Sequence, residues 1–105
     1  MKTRDQKVLQ EFSHKVRSIF PDAEIWAFGS RCRDESDDFS DLDICIVLEK
    51  LDRHVWDAVS DIAWEVGFAH DIVINTVKFE RDQFENGPIS ASPLVHSILR
   101  EGKLA

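Results

Sequence analysis

The stretch Trp26-Ala27-Phe28-Gly29-Ser30-Arg31-Cys32-Arg33, followed after an acidic segment by Ser40-Asp41-Leu42-Asp43-Ile44-Cys45-Ile46-Val47-Leu48, decides how this chain is read. A short apolar run ends on a Gly-Ser pair, and a second apolar run opens on Asp-x-Asp. Side chains alternate faces along a strand, so Asp41 and Asp43 point the same way with their Cα atoms about 7 Å apart. Two carboxylates aimed at one volume repel unless a cation neutralises them. Hard divalent cations bound through carboxylate oxygen supply that neutralisation. Past Asp43 both faces turn apolar, with Leu42, Ile44, Ile46 and Leu48 on one and Cys45 and Val47 on the other. That is the pattern of a central strand covered on both sides. The Asp pair alone is equally compatible with a loop or capping pair ahead of a buried strand. The upstream Gly-Ser is what favours a site.

Outward from this stretch, the periodicity predicts alternating helices and strands. Val8, Leu9, Phe12, Val16, Ile19 and Phe20 recur at helical spacing, with Thr3 and Gln6 as a capping box and Pro21 as the stop. Residues 23–28 read as a strand, and Gly29-Ser30 turns the chain into a short helix carrying Arg31 and Arg33. The run Asp34-Glu35-Ser36-Asp37-Asp38 is too acidic for core and reads as a solvated loop. Val55, Trp56, Val59, Ile62, Ala63 and Val66 predict a second long helix, capped by Asp52 and stopped by Gly67, with Trp56 and Trp64 as packing residues. The β-branched run Asp71-Ile72-Val73-Ile74-Asn75-Thr76-Val77 predicts a strand that opens on a lone acid. If that strand neighbours the first acidic one, Asp71 completes a three-carboxylate cluster with Asp41 and Asp43. A last helix begins at Ser92-Pro93, continues through Leu94, Val95, Ile98 and Leu99, and ends at Gly102. His70, next to Asp71, reads as a strand-edge residue without a metal partner, and His14, His54 and His96 as helix-surface residues.

Composition narrows the function. At 105 residues the chain is expected to form one domain, 1–105, with no room for a separate acceptor domain. Thirteen basic against 20 acidic residues give a formal charge of -7, and no stretch gathers Lys and Arg into a stripe. Direct nucleic-acid binding, which relies on clustered cations, is therefore not expected. Cys32 and Cys45 form neither a disulfide framework nor a metal spacing. No apolar run approaches the roughly 20 residues a membrane span needs, and the N-terminal residues lack the apolar core of a signal peptide. The cytoplasm is the expected location.

The chemistry follows from the constellation. Glycine lets a phosphate approach the backbone, the helix start offers unpaired N–H groups, and the serine hydroxyl adds a donor. Three carboxylates facing two divalent ions, held about 3.5–4 Å apart, suit in-line attack at phosphorus. The inferred reaction is nucleotidyl transfer.

Gly29-Ser30, then Ser40-Asp41-Leu42-Asp43, then a lone Asp71, resembles the DNA polymerase β-like nucleotidyltransferase superfamily. The short length, the Gly-Ser-Arg-x-Arg run and the ending from Ser92-Pro93-Leu94 to Ile98-Leu99-Arg100-Glu101-Gly102 look like its minimal nucleotidyltransferase (MNT) branch. The resemblance covers nearly the whole chain. It implies an α/β (α+β) fold with a small mixed β-sheet flanked by about four helices. It implies Asp41, Asp43 and Asp71 as catalytic carboxylates and Mg2+ ligands, two ions in all, with Asp71 also accepting the proton of the attacking hydroxyl. Gly29 and Ser30 would hold the triphosphate of ATP, and Arg31 and Arg33 carry over as further nucleotide contacts unless they pair with the acidic segment. Where related sequences often carry glycine after the second arginine, this chain has Asp34. Members of the branch are often paired with a HEPN-type toxin that they neutralise by AMP transfer to a tyrosine, which implies a protein partner and a hetero-oligomer. Two other functions stand beside this one: an antitoxin that only binds its partner, and a small-molecule nucleotidyltransferase, against which the length counts.

Overall fold

The computed structural model describes residues 1–35 and 40–105. The chain runs α1 (Thr3–Ile19), β1 (Glu24–Phe28), α2 (Gly29–Cys32), β2 (Leu42–Leu48), α3 (Arg53–His70), β3 (Ile74–Glu80), α4 (Arg81–Asn86), a 3-10 turn (Pro88–Ala91), α5 (Pro93–Glu101) and β4 (Lys103–Leu104). The strands form one mixed sheet in the order β3-β2-β1-β4. β1 is antiparallel to β2 and to β4, while β2 and β3 run parallel. Parallel neighbours need a long crossover, and α3 is that crossover.

The alternation read in the sequence becomes two hydrophobic layers. Leu42, Ile44, Ile46 and Leu48 of β2 pack with Ile25 and Ala27 of β1 beneath α1 and α3, where Val8, Leu9, Phe12 and Val16 meet Val59, Ile62 and Val66. On the other face Cys45 and Val47 join Phe79, Phe84, Val95 and Ile98, so α4 and α5 cover that side. A fully buried aliphatic or aromatic side chain stabilises by roughly 1.5–3 kcal/mol, and β2 places Ile44, Cys45, Ile46 and Val47 at zero exposure. β2 is thus the strand on which both cores rest, as its doubly apolar pattern required.

Three local expectations change. The Thr3–Gln6 capping box does not form: the N-cap of α1 is Lys2, without a side-chain cap, and Gln6 Nε2 donates to the Met1 carbonyl instead. Gly67 does not stop α3, which continues to His70. It is glycine because a Cβ there would stand 2.5 Å from the carbonyl oxygen of Ile72. The helix ends at Asp71 in a left-handed conformation (φ 52°, ψ 47°), with Ile72 N–H bonded to Gly67 O, the arrangement that usually employs glycine or asparagine. β3 consequently begins at Ile74, three residues later than the β-branched run suggested. Trp56 and Trp64 are not core: they are 46 % and 70 % exposed, and Trp64 stacks on Phe68 on the outer surface of α3. By contrast, the caps at Asp52 and Ser92 form as expected, each accepting from the N–H three residues on. α4 and β4 carried no recognised signal in the sequence.

Of the acidic segment, Asp34 and Glu35 are exposed, and the rest of that reading falls on positions 36–38, outside the described residues. Asp34 adopts φ 58°, a left-handed backbone, and bonds the Met1 amino group. The position at which the resemblance leads one to expect glycine thus has a glycine-like backbone here. No helix among the described residues is long and apolar enough to cross a membrane.

Candidate active site

β1 ends at Phe28, and Gly29 turns the chain into α2 with φ 79°. Only glycine adopts that conformation without steric cost. Phe28 is registered with Asp43 across the antiparallel β1–β2 pair, so the turn lies directly beside that carboxylate. A Cβ on Gly29 would overlap Asp43 Oδ2. Gly29 is therefore required twice, for its backbone and for the space it leaves. Ser30 follows in the first turn of α2, its carbonyl accepting from Glu35 N–H.

Asp41 is exposed just ahead of β2, and Asp43 is half-buried within it. Alternation carries both onto the α4/α5 face of the sheet, at the end where β2 begins. The Gly-Ser turn and the Asp-x-Asp expected together from the sequence are together in the fold.

On the other side of Asp43 stands Asn75. The parallel register pairs Asp43 with Asn75, and Asn75 Nδ2 donates to Asp43 Oδ1 at 3.1 Å. Asp71, expected in this neighbourhood, lies four positions earlier at the C-cap of α3. Among the described residues no three His, Cys, Asp or Glu side chains gather closely enough to hold a metal ion. The three-carboxylate arrangement expected from the sequence is not assembled. Asp41 and Asp43 share one face of the sheet, and the side chain that bonds Asp43 from β3 is an amide.

The two arginines are committed to the protein. Arg31 is 3 % exposed and bonds Asp5 Oδ1 of α1 at 2.9 Å and the Ser40 carbonyl at 2.7 Å. It ties α2 and the start of β2 to α1. Arg33 is exposed, bonds Glu35 at 3.1 Å and pairs with Glu101 at 3.6 Å. The hydrogen bond to Glu35 holds its guanidinium above the ordinary value. Arg33 pairs within the acidic segment, through Glu35, as that alternative expected, whereas Arg31 pairs with Asp5 of α1, a carboxylate the sequence did not single out.

His70 ends α3 and is paired with Glu11 of α1, and His14, His54 and His96 are exposed on helices. Neither cysteine belongs to the site: Cys32 is half-buried, and burial pushes the Cys45 thiol up to about 12.

A groove of about 760 Å³ runs along the outer edge of the sheet between α3 and β3. Trp64, Phe68 and Val73 line it with Asp71 and Asn75, and those three apolar side chains are largely exposed. Asn75 therefore belongs both to the groove and to the neighbourhood of Asp43. β3 is an edge strand of the sheet. On the α3-facing side of the same strand, burial lowers the pKa of Lys78, whose Nζ bonds Thr76 and lies 4.2 Å from the centre of the Trp56 ring.

The carboxylate oxygens of Asp41 and Asp43 are hard donors of the kind divalent cations prefer, and the Asn75 amide, which donates to Asp43, holds one of them in place. The residues present fit one such ion. Their two formal negative charges balance it.

Residues 9–104 match the family model described as a nucleotidyltransferase domain. No curated protein matches the chain. Among solved structures, the fold is similar to a candidate nucleotidyltransferase from Sulfolobus solfataricus, at 21% identity and a TM-score of 0.63 over 96% of this chain and 78% of that one. It is also similar to a chain of a toxin-antitoxin complex with AMP-PNP, at 20% identity and 0.61 over 90% and 69%. A chain of the complex between tri-AMPylated Shewanella oneidensis HEPN toxin and MNT antitoxin aligns at 21% identity and 0.58 over 95% and 70%. The mixed sheet and its covering helices are those of these structures.

Proposed function

The chain belongs to the nucleotidyltransferase domain family, and on that footing we propose that it transfers AMP from ATP to a tyrosine hydroxyl of a HEPN-type partner, acting as its antitoxin. The observation that carries this reading is the contact between the Gly29 turn and Asp43, which puts a glycine backbone turn and a carboxylate in one place. Gly29 and Ser30 would seat the triphosphate, with the unstrained glycine backbone allowing close approach. Asp41 and Asp43 would hold a divalent cation. When bound, that ion neutralises triphosphate charge and stabilises the departing pyrophosphate. In the transfer, the acceptor oxygen bonds to the α-phosphorus, the bond to pyrophosphate breaks and the hydroxyl proton leaves.

The similarity to structures of toxin-antitoxin complexes supports a protein acceptor. The apolar groove beside Asn75 supports it too, since exposed aromatic surface of this kind marks interaction sites. A partner segment lying along the β3 edge would bring its hydroxyl to Asp43.

Incubating the chain with ATP, Mg2+ and its co-expressed partner tests the proposal. One or more adenylyl additions on partner tyrosines, lost in the Asp41→Ala/Asp43→Ala variant, is the expected result. A second reading, an antitoxin that only binds, is favoured by one observation: the side chain that bonds Asp43 is the Asn75 amide, while Asp71, expected to complete the cluster, caps α3. Neutralisation without any adenylyl transfer, unchanged in the same double variant, would establish that reading instead.

A further inference from the structure

We infer that Asn75, and not Asp71, is the third side chain of the site, and that its amide leaves a site for one divalent cation with no proton acceptor on the strand beside Asp43. The inference rests on the nucleotidyltransferase reading above and refines it.

Position comes from the ladder. Leu42 N–H donates to Val73 O at 2.9 Å, and the parallel register then sets Asp43 against Asn75. Asp43 is thereby flanked by the Gly29 turn on its β1 side and by Asn75 on its β3 side. Asp71 has no place in that register. It caps α3 with a left-handed backbone, its N–H donating to Phe68 O.

Chemistry comes from the amide. A carboxylate only accepts hydrogen bonds, so the atom of Asn75 facing Asp43 Oδ1 is the NH2 group, and the amide oxygen is turned elsewhere. An aspartate at this position would set a second carboxylate about 3 Å from Asp43, which requires a cation or a shared proton to neutralise the pair. Asparagine replaces that repulsion with a bond, so Asp43 is held in place before any ion arrives. Asn75 is in this sense a positioning residue for Asp43. The same substitution lowers the formal charge available to cations from three carboxylates to two. It also removes a base: an amide does not take up the acceptor's proton. The proton of the attacking hydroxyl therefore goes to solvent or to a group of the partner.

The test is a Mn2+ titration of the full chain without nucleotide, following free Mn2+ by its electron paramagnetic resonance signal, with thermal unfolding as a check that each variant is folded. The expected pattern is one Mn2+ equivalent for the native chain and tighter binding or a second equivalent for Asn75→Asp. Asn75→Ala should bind about tenfold more weakly, the size of effect that loss of a ligand-orienting group produces. Asp71→Asn should lie within about twofold of the native chain on the same scale. Two equivalents in the native chain overturn the inference. So does Asp71→Asn weakening binding tenfold while Asn75→Asp changes nothing. Absence of Mn2+ from every variant overturns both the inference and the reading beneath it. Adenylyl transfer to the partner is scored separately: the expected Mn2+ pattern with no transfer, even by Asn75→Asp, leaves this assignment standing and sinks only the transferase reading.

Discussion

Gly29 and Asp43 are in such close contact that the hydrogen on Gly29 is the largest substituent the Asp43 carboxylate leaves room for. The pair joins the end of β1 to the start of β2 and fixes where the carboxylate stands. Gly29→Ala would force a Cβ into φ 79°, a cost of about 1–2 kcal/mol from backbone strain alone, and would displace Asp43 as well. Urea unfolding should show a loss of about 2 kcal/mol or more, and nucleotide binding should fall more than stability does. Unchanged nucleotide binding in a folded Gly29→Ala protein would remove this turn from the site.

The Arg31–Asp5 pair predicts a stability effect without a binding effect. Both side chains are buried, 3 % and 1 % exposed, and Asp5 Oδ2 has no hydrogen-bond partner among the described residues. Removing Arg31 takes from the buried Asp5 carboxylate its charge partner, which costs about 3–5 kcal/mol. Arg31→Ala should lower unfolding free energy by that order, Asp5→Ala by less because Arg31 keeps the Ser40 carbonyl, and an apolar double replacement should cost less than the sum of the two. ATP affinity of the folded fraction should not change. A selective loss of ATP affinity in Arg31→Ala would return this residue to the nucleotide.

Cys45 gives a prediction in alkaline solution. Its thiol is fully buried and titrates near about 12 in the folded chain, against an unfolded value of about 8.5. Between those values the unfolded chain has lost a proton that the folded chain keeps. Stability contributed by this group is therefore fully present below pH about 8.5 and declines above it by about 1.4 kcal/mol per pH unit. The Cys45→Ala protein should show a shallower alkaline loss than the native chain in denaturant titrations from pH 8 to 10. At pH 8 a thiol reagent should modify Cys32 in the folded protein and reach Cys45 only after denaturation.

The outer face of α3 separates partner binding from folding. Trp64 and Phe68 are 70 % and 75 % exposed and stacked at 5.1 Å. Their replacement by alanine should lower stability by no more than about 1 kcal/mol. If the groove receives the partner, the same changes should weaken the complex by about 2 kcal/mol or more, roughly 30-fold, as aromatic anchors do. Calorimetry with the co-expressed partner measures this. Equal affinity for native and doubly substituted chains would move the interface elsewhere.

Much of the fold was legible because its signals are local. The apolar period of α1 and α3, the Ser92-Pro93 start of α5 and the alternation through β2 each depend on residues a few positions apart, and each matches an observed element. The Gly-Ser turn and Asp-x-Asp were legible for the same reason: each is a short motif whose geometry follows from chirality and strand pleat. Gly67 misled because glycine in a helical stretch has two causes, and the close approach of Ile72 O is visible only when the chain has turned back. That error moved the strand start forward and put Asp71 in β3.

The sequence by itself determined that an apolar strand carrying two carboxylates would be central and that a glycine turn would precede it, since strand pleat and backbone sterics act within a few residues. Only the tertiary structure decided what stands beside those carboxylates. Asn75 meets Asp43 through the register of two parallel strands joined by an 18-residue helix, and Arg31 meets Asp5 across 26 positions of chain. Such register is set by how α3 packs over the sheet, and no local pattern encodes it. A slip of one residue would turn a different side chain toward Asp43.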